Sequence, residues 1–357
     1  MKKYWSRRIR DMVPYVPGEQ PKDRVFIKLN TNENPYPPSP KALEALREAA
    51  DDRLRLYPDP ECAQLRTTIA AAHGLSPEQV FAGNGSDEVL AFCFQAFFDP
   101  DRPVCFADIT YTFYAVYAEY FGLTPRLIPL GEDFSLPVAA FCAGDSGGVV
   151  VANPNAPTGL ALPLDQVEAL VASNPGHVVV VDEAYVDFGA ASAAALLGRY
   201  ENLLVVMTYS KSRSMAGARL GFALGSRELI ADLERLKYAT NPYNVNRLTL
   251  RLGEAAVDSD PYFRANARRI MATRDKTARA LREMGFRLPD SQANFLFVTH
   301  PRIDGARLYQ KCRERGILIR HFSDPAIAQY NRVTIGAEEE METFLTMVRD
   351  ILREEGL

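Results

Sequence analysis

The chain is poor in the residues that build covalent or metal frameworks. Only five of its 357 residues are cysteine and four are histidine. Cys62, Cys93, Cys105, Cys142 and Cys312 are odd in number and include no CxxC pair, so neither a disulfide framework nor a zinc site is indicated. His73, His177, His300 and His321 are far apart in sequence, which argues against a histidine metal cluster. Charge of one sign is scarce too. The formal net charge of -4 does not favour a nucleic acid or an acidic membrane surface as partner. No apolar run approaches the roughly 20 residues of a membrane span. The N-terminal stretch "MKKYWSRRIRDMVPY" is basic without an apolar core, so no export signal is expected and cytoplasmic residence is the default.

What is present is an ordinary globular composition, on a chain long enough for two domains. From about residue 79 to 236, short apolar runs alternate with amphipathic stretches. "QVFAGN", "PVCFAD", "RLIPL", "GVVVANP", "HVVVVDE", "NLLVVMTYS" and "RLGFALG" read as strands, and "SDEVLAFCFQAFF" and "LPLDQVEALVAS" as helices between them. Nearly continuous Val, Leu and Ile runs predict strands buried on both faces, hence a mainly parallel seven-stranded sheet in an α/β/α three-layer arrangement. "NPYNVNRLTL" marks a break, and "ANFLFVTH", "GILIRHF" and "NRVTIG" among helical patterns predict a smaller α/β domain. The expected division is an N-terminal arm over 1–40, containing the Pro-rich "NENPYPPSPKA", a large domain over 41–245 and a small domain over 246–357.

Sheets of this kind bind ligands at the carboxyl ends of their strands. "NGSDEVL" follows one strand, with Gly85 for a tight turn and Ser86 and Asp87 opening a helix whose free N–H groups suit an anion. "NPNAPTG" follows another. Asp182, in "DEAYVDF", ends a strongly apolar strand, with Tyr185 three residues on. Lys211, after Ser210, follows "LLVVMTY", and Arg219 precedes "LGFALG". Each feature has a bland alternative: a helix cap, a turn or a solvated lysine. Together they supply a phosphate cradle, a carboxylate for a ring nitrogen, donors for a phenolic oxygen and an amine for an aldehyde. Those are the groups that pyridoxal 5'-phosphate demands.

The motifs "LNTNENPYPPSP", "YPDPECAQLR", "GNGSDEVL", "NPNAPTG", "DEAYVDF", "SKSRSMAGARLGF" and "RVTIG" occur in this order over nearly the whole chain. In this the sequence resembles the histidinol-phosphate aminotransferases, of the fold-type I pyridoxal-phosphate enzymes. The resemblance implies that Lys211 holds the cofactor's aldehyde and moves a proton, that Asp182 pairs the pyridine nitrogen, and that Tyr185 bonds the phenolic oxygen. Gly85, Ser86, Asp87, Ser210 and Arg219 would surround the phosphate, and Tyr111 would stack on the ring. Tyr57 would reach the phosphate of the other subunit, implying a homodimer with shared sites. Arg332 would take the substrate carboxylate, with Arg320, Tyr15 and Tyr243 on the substrate phosphate. Such enzymes place Asn directly before "PTG". Here that position is Ala156: either the turn shifts so that Asn155 serves, which is the expected case, or Tyr185 carries the contact alone.

The implied activity transfers an amino group between histidinol phosphate and 2-oxoglutarate in histidine biosynthesis. An aromatic or broad-range aminotransferase and a threonine-phosphate decarboxylase of corrinoid synthesis share most of these motifs. A transcription regulator would need an added basic helix-turn-helix, for which about 30 residues before "LNTNENP" leave no room. A nicotinamide-dependent dehydrogenase fits poorly, because "GNGSDE" does not complete G-x-G-x-x-G.

Overall fold

The seven apolar runs become one sheet. In the computed structural model, which describes Tyr4 and residues 12–142 and 146–357, the chain first forms a short strand, β1 (Ile27–Lys28). There follow β2 (Val80–Gly83), β3 (Val104–Ala107), β4 (Pro125–Ile128), β5 (Gly148–Ala152), β6 (Val179–Asp182), β7 (Leu203–Thr208) and β8 (Gly221–Gly225). The sheet order is β2-β8-β7-β6-β5-β3-β4. β8 is antiparallel to both neighbours, and the remaining pairs are parallel. The basic stretch searched for an export signal lies mostly outside the described residues.

Alternation within each strand explains the three layers. Val149, Val151, Val179, Val181, Leu203 and Val205 face one core, where Leu65, Ile69, Val167 and Leu170 come from helices Ala63–His73 and Leu164–Ala172. Val150, Val180, Leu204 and Val206 face the other, with Val89, Phe94, Tyr114 and Leu233 of helices Ser86–Phe97, Phe113–Phe121 and Arg227–Thr240. A strand wet on neither face needs apolar residues at every position, and the Val-rich runs supply them.

The last third of the chain builds β9 (Phe295–Val298), β10 (Ile317–Leu318), β11 (Arg320–His321) and β12 (Asn331–Thr334). β9, β11 and β12 form an antiparallel sheet with β12 in the middle, and β10 pairs in parallel with β1. Their side chains share a core with helices Asp260–Glu283, Gly305–Glu314 and Glu338–Glu354. Helix Arg247–Val257 lies past the expected boundary at 246, yet its Leu250, Leu252 and Ala256 belong to the core of the large sheet. Its apolar stripe meets helices Pro40–Ala49 and Ala63–His73, which bury it there.

Part of the arm is packed and paired. Leu29 N donates to Leu318 O at 2.8 Å, and Leu29 O accepts from Thr334 N at 2.9 Å. Leu29 is 1% exposed and sits in the smaller core. The arm is therefore part of that core. Leu29→Ala is expected to lower stability by about 2–5 kcal/mol, read as a shift of the urea midpoint at constant slope. A loss below about 1 kcal/mol would mean that the arm only lies on the surface.

Candidate active site

β7 carries no polar side chain until Thr208. The chain must then leave the core and reverse into antiparallel β8. Tyr209 N donates to Leu220 O and Met215 N to Tyr209 O, both at 3.0 Å, closing the connecting loop. From the arm, Asn34 Nδ2 donates to the carbonyls of Lys211 and Ser212, at 2.9 and 3.3 Å. The backbone of Lys211 is thus fixed, and its side chain lines a cavity of about 360 Å³. Nζ lies 3.5 Å from Thr31 O and 5.8 Å above the ring centroid of Tyr185. A lysine held in this way is a positioned amine.

Asp182 ends β6 beside Ala152 of β5 and Val206 of β7, and is 5% exposed. The Tyr114 hydroxyl donates to Oδ2 at 2.7 Å, and Ala184 N to Oδ1 at 3.1 Å. Burial raises its pKa to about 6 despite both bonds. A carboxylate so placed calls for a cationic partner in the cavity. Tyr185 follows on the same turn. Its hydroxyl accepts from Asn32 Nδ2 at 2.9 Å, and its ring stands edge-on to Phe295 at 5.0 Å.

An anion cradle lies beside them. Helix Ser86–Phe97 begins at Gly85, which has φ 83° and caps with no side chain, so the first N–H groups of the helix are free for an anion. A Cβ at Gly85 would fall 2.6 Å from Arg219 Nη2, and one at Gly221 would fall 2.3 Å from Ser86 N. Gly221 is therefore required by close approach to backbone, and Gly85 by its positive φ. Arg219, itself at φ 55°, pairs with Asp87 at 3.0 Å, and the Tyr111 hydroxyl donates to the other oxygen of Asp87 at 2.8 Å. Asp87 thus aims Arg219 and Tyr111. Ser210 N bonds Thr208 Oγ1 at 3.1 Å, and both residues line the cavity.

Two more cations complete the lining. Arg320 and Arg332 are register partners across β11 and β12. Arg332 Nη2 donates to Asn30 O at 3.1 Å, while its buried Nε has no partner among the described residues. Arg320 donates to Val16 O and Pro17 O. Tyr15 lines the same cavity and stacks on Phe113 at 4.4 Å.

A family model described as aminotransferase class I and II matches residues 24–348. The chain belongs to this family. It is 49% identical over 352 residues to a histidinol-phosphate aminotransferase of Clostridium acetobutylicum, covering 99% of this chain and 100% of the relative. It is 51% identical over 353 residues to histidinol-phosphate aminotransferase 1 of Bordetella parapertussis, covering 98% and 99%. The fold matches the crystal structure of histidinol-phosphate aminotransferase from Sinorhizobium meliloti in complex with pyridoxal-5'-phosphate, with TM-score 0.88, 23% identity and coverage of 99% and 98%.

In this aminotransferase three expected residues stand apart from the cavity. Asn155 is one. Its Nδ2 donates to Ile109 O and Thr158 Oγ1, at 3.0 and 3.1 Å, and its Oδ1 accepts from Thr110 Oγ1 at 2.7 Å. The amide is consumed by its own turn, and Ala156 faces the cavity instead. Tyr57 and Tyr243 are the other two. They stack on each other at 4.5 Å, and are 80% and 40% exposed. The sequence reading missed Asn32, Tyr114, Thr208 and Glu33. Asn32 and Glu33 lay inside a quoted motif, yet the prolines after them suggested only an extended arm.

The charge on Asp182 has a measurable consequence. Its folded pKa stands above that of an ordinary carboxyl, so the folded state binds the proton more tightly. Stability of the ligand-free protein therefore falls as pH rises from about 4 to about 6. Asp182→Asn removes that penalty. Its ligand-free melting temperature is expected above wild type at neutral pH, by a difference worth on the order of 3 kcal/mol at most, closing near pH 4. Glu183, raised to about 8 chiefly by burial, is also pushed up by the Asp182 charge, so its own penalty is smaller in the variant and acts in the same direction. A variant no more stable than wild type at neutral pH would contradict the assigned strain.

Proposed function

We propose that this chain transfers the amino group between histidinol phosphate and 2-oxoglutarate, giving imidazole-acetol phosphate and glutamate, with pyridoxal 5'-phosphate as cofactor, in histidine biosynthesis. The observation that carries this reading is the register pair Arg320 and Arg332 in the same cavity as Lys211. One subsite must take the α-carboxylate of glutamate in one half-reaction and the phosphomethyl group of histidinol phosphate in the other. The guanidinium fork suits both anions. The names of the relatives at 49% and 51% identity support the same substrate.

The residues present fit the cofactor. A protonated ring nitrogen would answer the buried charge of Asp182, and the phosphate would meet the Gly85–Ser86 helix start and Arg219. Bound pyridoxal phosphate supplies an electron sink for the pair released when the substrate's Cα–H bond breaks. Lys211 Nζ would hold the cofactor's aldehyde and is the base placed to take the proton from Cα. Asp182 keeps the ring nitrogen protonated. Tyr185 keeps its own hydrogen for the phenolic oxygen, since Asn32 is the donor between those two side chains. Tyr111 covers the ring face. Arg332 holds the carboxylate, and Arg320 with Tyr15 holds the phosphate. In this reading the sheet unit carries the cofactor groups, and the smaller unit with the arm carries the substrate's anion. A cytoplasmic homodimer completes it, with the exposed Tyr57 and Tyr243 turned to the partner's site.

Purified protein should be yellow, and borohydride should fix the cofactor on Lys211, located by peptide mass. Histidinol phosphate should outperform phenylalanine, tyrosine and threonine phosphate with 2-oxoglutarate. Faster turnover of the aromatic amino acids would make this an aromatic aminotransferase, and carbon dioxide from threonine phosphate a decarboxylase.

The shared site has its own test. Lys211→Ala and Tyr57→Phe protomers, each impaired alone, are mixed and allowed to exchange. Mixed dimers then hold one site free of both lesions, so activity above either parent is expected. No recovery after confirmed exchange would place Tyr57 in its own subunit's surface only.

A further inference from the structure

Three carboxylates line the cavity: Asp87, Asp182 and Glu33. Asp87 serves Arg219 and Tyr111, and Asp182 ends the sheet. Glu33 is the one that the reaction as described leaves unused. It stands on the arm, two residues past Thr31, whose carbonyl lies 3.5 Å from Lys211 Nζ. Lys28 Nζ donates to its Oε1 at 2.7 Å, and Thr31 Oγ1 to its Oε2 at 2.9 Å. A carboxylate has about four lone-pair sites, so two such partners fix it and leave room for a further donor. Burial pushes its pKa up, but the hydrogen bonds from Lys28 and Thr31 outweigh burial and hold it below the usual range. The side chain stays 43% exposed. Glu33 is an ionised acceptor, held in place and reachable from the cavity.

The substrate has a third end besides its amine and its anion. An imidazole ring carries an N–H donor in either protonation state. Lys211, Arg219, Arg320 and Arg332 offer only donors when charged and cannot receive it. We propose that Glu33 reads the imidazole ring of the substrate by accepting its N–H, an inference that rests on the histidinol-phosphate reading above. A phenyl ring would cover the remaining acceptor sites of this carboxylate without supplying a donor, which is a basis for rejection. Glutamate is not shut out, because Lys28 beside Glu33 offsets repulsion of its distal carboxylate.

Two amine-free ligands that cannot react separate ring from phosphate: 3-(imidazol-4-yl)propyl phosphate and 3-phenylpropyl phosphate. Their dissociation constants are measured by calorimetry on the cofactor-loaded enzyme, wild type and Glu33→Gln. Wild type is expected to prefer the imidazole ligand by about 10- to 100-fold, the usual range for a hydrogen bond to a charged group. Glu33→Gln, which keeps a carbonyl acceptor but loses the charge, should cut the preference to a few-fold at most and leave the phenyl ligand unchanged. Glu33→Asp, which keeps the charge, should retain part of it and guards against a folding defect. In the half-reactions, Glu33→Gln should lower saturation by histidinol phosphate but not by glutamate. Equal weakening of both phosphates would reduce Glu33 to a structural residue and overturn the proposal. So would a wild type without ring preference that still converts histidinol phosphate. A wild type that fails to convert histidinol phosphate at all would overturn the functional reading itself.

Discussion

Asp182 is a carboxylate at the end of a strand buried on both faces, and the cost of a charge there governs the rest of the site. An unpaired ion in such surroundings is strongly disfavoured. The protein meets part of the cost with Tyr114 and the Ala184 N–H, and the raised pKa marks the part left over. A cationic partner on the open side then becomes favourable. The same sheet edge brings the lysine loop, the helix start and the Asp182 turn within reach of one ligand, because parallel strands end at one level.

The second constraint is the route of the arm. Residues 27–34 bond to β10, to Thr334 and to the lysine loop, so they tie the smaller core to the sheet. Asn32, at φ 57°, receives Thr334 Oγ1 on its Oδ1 while its Nδ2 reaches Tyr185. One segment thereby touches Tyr185, Arg332 through Asn30 O, and Lys211 through Thr31 O. This explains how the arginines of β11 and β12 can line the same cavity as residues of a different sheet.

Much of this was legible beforehand. Six of the seven strands were marked by runs apolar enough to be buried on both faces, and the edge strand β4, with Arg126 and an exposed Leu127, by a shorter one. The lysine, the aspartate and the glycine-flanked helix start fell immediately after such runs. The partners of Asn155 were not legible: its place beside the turn was, but that its amide meets Thr110, Thr158 and Ile109 depends on how the turn packs. Helix Arg247–Val257 was assigned past a boundary because its sequence shows an apolar stripe without showing which core the stripe meets.

The sequence alone determined which backbone segments are strands and which residues stand at their ends, since hydrophobic period and turn chemistry act within a few residues. It also supplied the lysine, the aspartate and both arginines. Only the tertiary structure decided which side chains these meet. Asn32 joins Tyr185 across 153 positions, and Tyr114 joins Asp182 across 68. Arg320 and Arg332 become neighbours through strand register. A hydrogen-bonding side chain takes the best partner that folding brings to it, and for these residues that partner comes from a distant part of the chain.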